Sequence, residues 1–208
     1  MNSRPGFPAA LGAVLLLLGS TAFAQTPRIA FSFQGGGAGH EENNLHVGLA
    51  TGFGMTVPLT SRLAATVEID HWATESRSSF RKLYNGRLAL TPFMLGLRYE
   101  FAGNGYFVPY AVAGGGYIGT RFRIGSVVTL PSVTIEQTVR SGWAGYLGFG
   151  ASWRLSALWE FFSEINYIIR TAPARTVVRD LDFGVITTDE IWVNLRVVYW
   201  KFGVRLLI

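Results

Sequence analysis

The sequence predicts an all-β fold, eight antiparallel strands closed into a transmembrane β-barrel with short periplasmic turns and longer extracellular loops. Three observations predict it. Hydrophobic residues make up 49% of the 208 residues, yet beyond the first 24 no apolar run approaches the roughly 20 residues that a spanning helix needs. The apolar residues are instead dispersed at period two, as when one face of each strand meets lipid and the other a lumen. The connections between these alternating segments are long and short in turn, which is the habit of outer-membrane barrels.

Met1 to Ala24 reads as an export signal: Arg4 in the charged start, Ala9 to Leu18 as the apolar centre, and Ala22-Phe23-Ala24 before Gln25. Residues 25–208 are then one barrel domain. The chain has no Cys, which rules out disulfides, thiolate chemistry and a lipid anchor on the residue after the cleavage site. Its net charge of +5 points, in an exported protein, to an anionic membrane surface and away from nucleic acid.

Eight segments follow in order. The first, near Pro27 to Gly37, carries Ile29, Phe31 and Phe33 on one face. Leu45 to Val57 sets Val47, Leu49, Phe53, Met55 and Val57 against His46, Gly48, Ala50, Gly52 and Gly54. In the third, "ATVEIDHWATE" (Ala65 to Glu75), Val67 and Ile69 alternate with Glu68 and Asp70. Arg87 to Phe101 sets Phe93, Leu95, Leu97, Tyr99 and Phe101 opposite Gly96, Arg98 and Glu100. Tyr106 to Ile118 is glycine-rich at its end, and Trp143 to Arg154 opposes Leu147, Phe149 and Trp153 to Gly148, Gly150 and Ser152. Trp159 to Thr171 sets Phe161, Ile165, Tyr167 and Ile169 against Glu160, Glu164, Asn166 and Arg170. The last segment ends the chain, with Trp200, Phe202, Val204, Leu206 and Ile208 facing away from Lys201, Gly203 and Arg205.

Short connections fall at 58–62, 102–105 and 155–158, and long polar ones at 40–44, 74–86, 120–141 and 172–189. No segment after the export signal carries a capped, helix-period apolar stripe. A soluble β-sandwich would also use short strands and regular turns. It would have to expose the large aromatics or bury the alternating charges, and both are costly.

If the aliphatics face lipid, the charges between them face the lumen. Strand parity places Glu68, Asp70, Arg98, Glu100, Glu160, Glu164, Arg170 and Arg205 there. An Arg or Lys on the lipid face would cost about 2–4 kcal/mol at the midplane. A lumen of eight strands is filled by side chains, so these groups are expected to form a paired network, with glycines making room. Pro92 cannot donate to a ladder and predicts a bulge.

"TPFMLGLRYEF" (Thr91 to Phe101) followed by "GNGYFVPYAVAGGGY" (Gly103 to Tyr117) resembles the small OmpA/OmpX-type outer-membrane barrels. The terminal "WKFGVRLLI" resembles their C-terminal insertion signal, though it ends in Ile208 where they usually end in an aromatic. The resemblance implies outer-membrane localisation and recognition of the last strand by the barrel-assembly machinery.

The chemistry-bearing residues do not assemble an enzyme. Asp70 and His71 are neighbours on a strand and point to opposite faces. His40, Glu41, Glu42 and His46 read as a solvated loop and not as a metal site. "GGGAG" (Gly35 to Gly39) lacks the Lys-Ser/Thr of a phosphate loop, and no serine has a named base. No cofactor, metal or catalytic residue is expected. The outer loops carry Arg77, Arg81, Lys82, Arg121 and Arg123, expected to meet lipopolysaccharide phosphates, each worth about 1 kcal/mol near the surface. "VVTLPSVTI" (Val127 to Ile135) is apolar for an outer loop and suits a hairpin extension or a host or partner contact.

The sequence therefore reads as a monomeric barrel with a structural, envelope-integrity role and surface contacts. The alternatives are passage of small hydrophobic molecules through a lateral opening, at Pro92 and Gly114 to Gly116, or a lipid-modifying barrel enzyme.

Overall fold

Period-two alternation becomes a closed wall. A computed structural model describes residues 28–41, 45–76, 83–102, 106–125 and 132–208; the export signal lies outside them. Eight strands form the predicted antiparallel barrel: β1 (Ala30–His40), β2 (Gly48–Pro58), β3 (Leu63–Ser76), β4 (Gly86–Glu100), β5 (Phe107–Ile124), β7 (Gly142–Arg154), β8 (Trp159–Ile169) and β11 (Val197–Leu207). Each pairs with its neighbour in chain order, and β11 closes on β1 from Ala30↔Leu207 to His40↔Val197.

Three further strands, β6 (Val133–Val139), β9 (Thr171–Asp180) and β10 (Val185–Asn194), form a second sheet in the order β10-β9-β6. They lie in stretches expected to be loops. Each continues a barrel strand with at most two residues between: β6 runs into β7, β8 into β9, and β10 into β11. The part of the 127–135 stretch that is described enters β6, which pairs with β9 and so does not extend the β5–β7 hairpin; 126–131 lie outside the described residues.

The short turns are fixed by hydroxyls that accept from backbone N–H groups. Thr60 Oγ1 takes Arg62 N (3.3 Å) and Leu63 N (3.0 Å), and Ser156 Oγ takes Leu158 N (3.2 Å) and Trp159 N (3.1 Å).

Pro92 does not make a bulge. The β3–β4 register is the same on either side of it, Ile69↔Phe93 and Trp72↔Leu90, and only the two rungs between them are missing. Across that gap His71 Nδ1 and Thr91 Oγ1 meet at 3.0 Å. The β4–β5 ladder is continuous from Gly86↔Ile124 to Glu100↔Tyr110 and includes Pro92↔Ile118. The β4–β5 wall is therefore closed where the alternative reading put a lateral opening, because the missing Pro N–H costs rungs to β3 alone.

Glycine in this wall makes room for rings. A Cβ on Gly114 would lie 2.8 Å from the Tyr146 ring, and one on Gly150 would lie 2.6 Å from the Tyr110 ring and 2.7 Å from Ser163 O. Gly150→Ala should therefore destabilise the barrel by about 1–3 kcal/mol, measured as a lowered urea midpoint in detergent. Gly35→Ala, whose new methyl meets nothing nearer than 3.6 Å, should leave the midpoint unchanged.

Candidate functional site

The lumen is built in layers from inward positions. Nearest the short turns, Arg205 Nη1 donates to Glu160 Oε1 at 2.6 Å and Arg205 Nη2 to Tyr110 Oη at 3.2 Å. Arg98 Nη2 donates to Ser152 Oγ (3.2 Å) and pairs with Glu100 (3.0 Å) and Glu160 (3.8 Å). Arg98 also stacks over the Tyr110 ring at 3.8 Å, and Arg205 over the Phe162 ring at 3.9 Å, where desolvation strengthens cation–π attraction.

One layer higher, Lys201 is 0% exposed and bridges two carboxylates, Glu68 Oε2 at 2.6 Å and Glu164 Oε1 at 2.9 Å. Glu164 also accepts from Asn166 Nδ2 at 2.7 Å. Above it, Asp70 Oδ1 accepts from Gln34 Nε2 (2.7 Å) and Tyr199 Oη (3.3 Å). Higher still the interior turns apolar, with Trp72, Leu88, Leu90, Ile118, Val139 and Val197 in one buried cluster that continues under the outer sheet.

Of the residues expected in a lumen network, Glu68, Asp70, Arg98, Glu160, Glu164 and Arg205 are buried there, and Glu100 lies at its half-exposed edge. Arg170 does not join them. It is buried between β8 and β9, where Nη1 donates to Ile118 O at 3.1 Å and Nη2 to Arg140 O. Among the described residues it forms no ion pair. The inward parity was correct, but four residues above Asn166 the strand leaves the charged layers for the apolar ones.

Lys201 was missing from the expected set. Its inward parity between Trp200 and Phe202 was the available signal. Gln34, Tyr110, Asn166 and Tyr199 were missed because neutral inward residues carry no charge to mark them.

Outside, the apolar side chains form a band between two aromatic girdles. Tyr99–Phe101, Phe107–Trp153 and Trp153–Phe161 ring pairs lie toward the short turns, and Tyr117–Trp143 at the other end. Trp143 and Trp153 are ten residues apart on β7, which at strand rise and barrel tilt spans about 25 Å, the height of a membrane-facing band. Beyond the upper girdle Arg87 pairs across from Arg123, with Arg121 on the same outward face. Arg77, Arg81 and Lys82 lie outside the described residues.

Asp70 points inward and His71 outward, so they share no site. Glu41 is occupied by Tyr167 Oη, Asn194 Nδ2 (3.3 Å) and Arg196 Nη1 (3.6 Å). Its carboxyl is held below the usual carboxylate range, chiefly by the Tyr167 hydroxyl. Glu42 lies outside the described residues, and no three His, Asp or Glu side chains among those described could hold a metal ion.

No family model and no curated protein matches this chain. Solved structures do. OprG of Pseudomonas aeruginosa is 12% identical, over 88% of this chain and 94% of that one, with a TM-score of 0.61. A major outer membrane protein of Thermus thermophilus is 12% identical over 86% and 99%, with a TM-score of 0.55. Ail of Yersinia pestis, solved with the heparin analogue sucrose octasulfate, is 12% identical over 88% and 97%, with a TM-score of 0.50. At such identities the likeness is one of fold, that of the small outer-membrane barrels.

Removing one partner of a buried ion pair strands the other charge. Lys201→Met should therefore lower the unfolding free energy in detergent by about 3–5 kcal/mol. Adding Glu68→Gln and Glu164→Gln to it should restore part of the loss, since the two carboxylates bonded to Lys201 are then neutral, while buried Asp70 still lacks a nearby cation.

Proposed function

We propose that this chain is an integral, monomeric protein of a bacterial outer membrane that reinforces the envelope and grips lipopolysaccharide through basic side chains on its outer rim. The short turns lie in the periplasm and the β6–β9–β10 sheet outside. The observation that carries this reading is the apolar band between aromatic girdles, wrapped around a lumen of buried charge. Such a distribution suits hydrocarbon outside and a polar plug inside.

Several features support the finer parts. The Lys201 and Arg205 pairs occupy the bore, which argues against an axial channel for solutes. Arg87, Arg121 and Arg123 crowd together just beyond the upper girdle, where like charges are tolerated if phosphates neutralise them. The three arginines join the predicted Arg77, Arg81 and Lys82 in this role. The last strand, β11, is the element that the assembly machinery would read. No catalytic role is assigned: Thr91 Oγ1 lies 3.0 Å from His71 Nδ1, but on the outward face of the wall. Sucrose octasulfate on Ail makes a sulfated host glycan a second polyanion that the same rim could meet.

A second reading, passage of small hydrophobic molecules, draws on the apolar outer half of the lumen, where Leu88, Leu90 and Ile118 are buried. Liposomes loaded with the chain should then take up a hydrophobic dye faster than empty ones.

For the main reading, unheated protein should migrate faster on a gel than boiled protein and partition with detergent. A chain that stays dissolved without detergent sinks it. Replacing Arg87, Arg121 and Arg123 together with Ala should cut co-purified lipopolysaccharide several-fold, at about 1 kcal/mol per side chain, with gel mobility unchanged.

A further inference from the structure

Three polar side chains stand together on the outward face of an apolar wall. Thr51, His71 and Thr91, on β2, β3 and β4, are all exposed. Thr51 pairs directly with His71, and His71 Nδ1 meets Thr91 Oγ1 at 3.0 Å across the rungs that are missing beside Pro92. That contact occupies one ring nitrogen. His71 Nε2 and the Thr51 hydroxyl have no partner among the described residues. The trio lies at the level of the upper girdle: Phe93 pairs with Tyr117 of that girdle, and Thr91 stands one outward step beyond Phe93. Water thins out at this level, and an unpaired ring nitrogen or hydroxyl is costly there.

The same face leads upward to the rim. Ala73 pairs with Ala89, and Ala89 with Arg121, so only methyl groups separate the polar trio from the arginines. Arg87 lies four residues from Thr91 on the same face of β4, about 13 Å at strand rise. Glu75 stands opposite Arg87, and Arg121 with Arg123 leaves the rim positive. Below the trio, Ile69 and Phe93 pair directly and are both exposed. From the rim downward the strip thus offers cations, a dip of small residues, hydrogen-bonding groups and an apolar wall. A glycerophospholipid brings phosphate and ester carbonyls, which accept but cannot donate. A lipid with hydroxylated or amide-linked acyl chains also brings O–H and N–H donors, which an imidazole nitrogen and threonine hydroxyls can accept.

We propose that this strip of β2, β3 and β4 binds one outer-leaflet lipid that carries both phosphate and hydroxylated or amide-linked acyl chains. Arg87 and Arg121 hold the phosphate, His71 Nε2 with Thr51 and Thr91 bonds the acyl linkages, and a chain lies on Ile69 and Phe93. The site rests on the lipopolysaccharide reading of the rim and deepens it, because the arginines attract any anionic lipid and the trio discriminates among them.

Native mass spectrometry of the full chain in detergent tests the site, with bisphosphorylated lipid A competing against cardiolipin, which has two phosphates but only ester-linked chains. The parent should retain lipid A in preference. His71→Leu with Thr91→Val should lower that preference about fivefold or more, as expected for losing a hydrogen bond, with cardiolipin retention unchanged. Thr171→Val, at an exposed threonine on the opposite side of the barrel, should leave it as it was. Where the double variant fails to give the heat-modifiable form, Thr51→Val with Thr91→Val decides. A parent without preference, or an equal preference in parent and variants, overturns the proposal and leaves the rim reading standing. Undiminished retention of both lipids after Arg87, Arg121 and Arg123 are replaced together with Ala overturns the rim reading and this site with it.

Discussion

Lys201, held between Glu68 and Glu164, is the interaction on which the interior depends. Three strands that are distant in sequence, β3, β8 and β11, each bring one charge to the same point of a bore too narrow to hold bulk water. The arrangement works only in one register. A slip of one residue in any of the three would turn its charge toward hydrocarbon and its aliphatics inward. The pairs therefore specify alignment more surely than they add stability, since desolvation offsets much of the attraction. Arg205 with Glu160, and Arg98 with Glu160, repeat this constraint one layer below.

The barrel was legible because its outward positions are large and apolar. Phe93, Leu95 and Leu97 on β4, or Ile165 and Ile169 on β8, mark period two without ambiguity. The outer sheet was not, for a physical reason. The inward positions of β9 are Ala172, Ala174 and Thr176, alternating with Thr171, Pro173 and Arg175, and small residues facing polar ones read as loop. The lumen charges were legible by parity alone. Parity says which way a side chain points but not at what height, so Arg170 was grouped with carboxylates that lie layers below it. Pro92 misled in another way, because losing a donor breaks rungs without inserting a residue, and the register carries through.

The two ends of the molecule differ in kind. Toward the short turns the interior is charged and the chain reverses within a few residues, fixed by Thr60 and Ser156. Toward the other end the interior becomes apolar and three barrel strands continue into a sheet of their own. That change of polarity within one bore separates a tightly registered half from one held by ordinary hydrophobic packing. Local opening is then easier in the upper half, where the ion pairs that have to part, Glu41–Arg196 and Glu136–Arg179, are exposed ones.

Closure of the wall between β1 and β11 also sets an order of events. The strand that seals the cylinder is the one that delivers Lys201 and Arg205, the cations for carboxylates already mounted on β3 and β8. Until it docks, Glu68 and Glu164 repel across a gap with nothing between them, and a half-built sheet gains little by curling. Strand β11 is thus an electrostatic latch: it brings the cations that let the carboxylates of β3 and β8 share one bore, and a barrel without it would stay ajar.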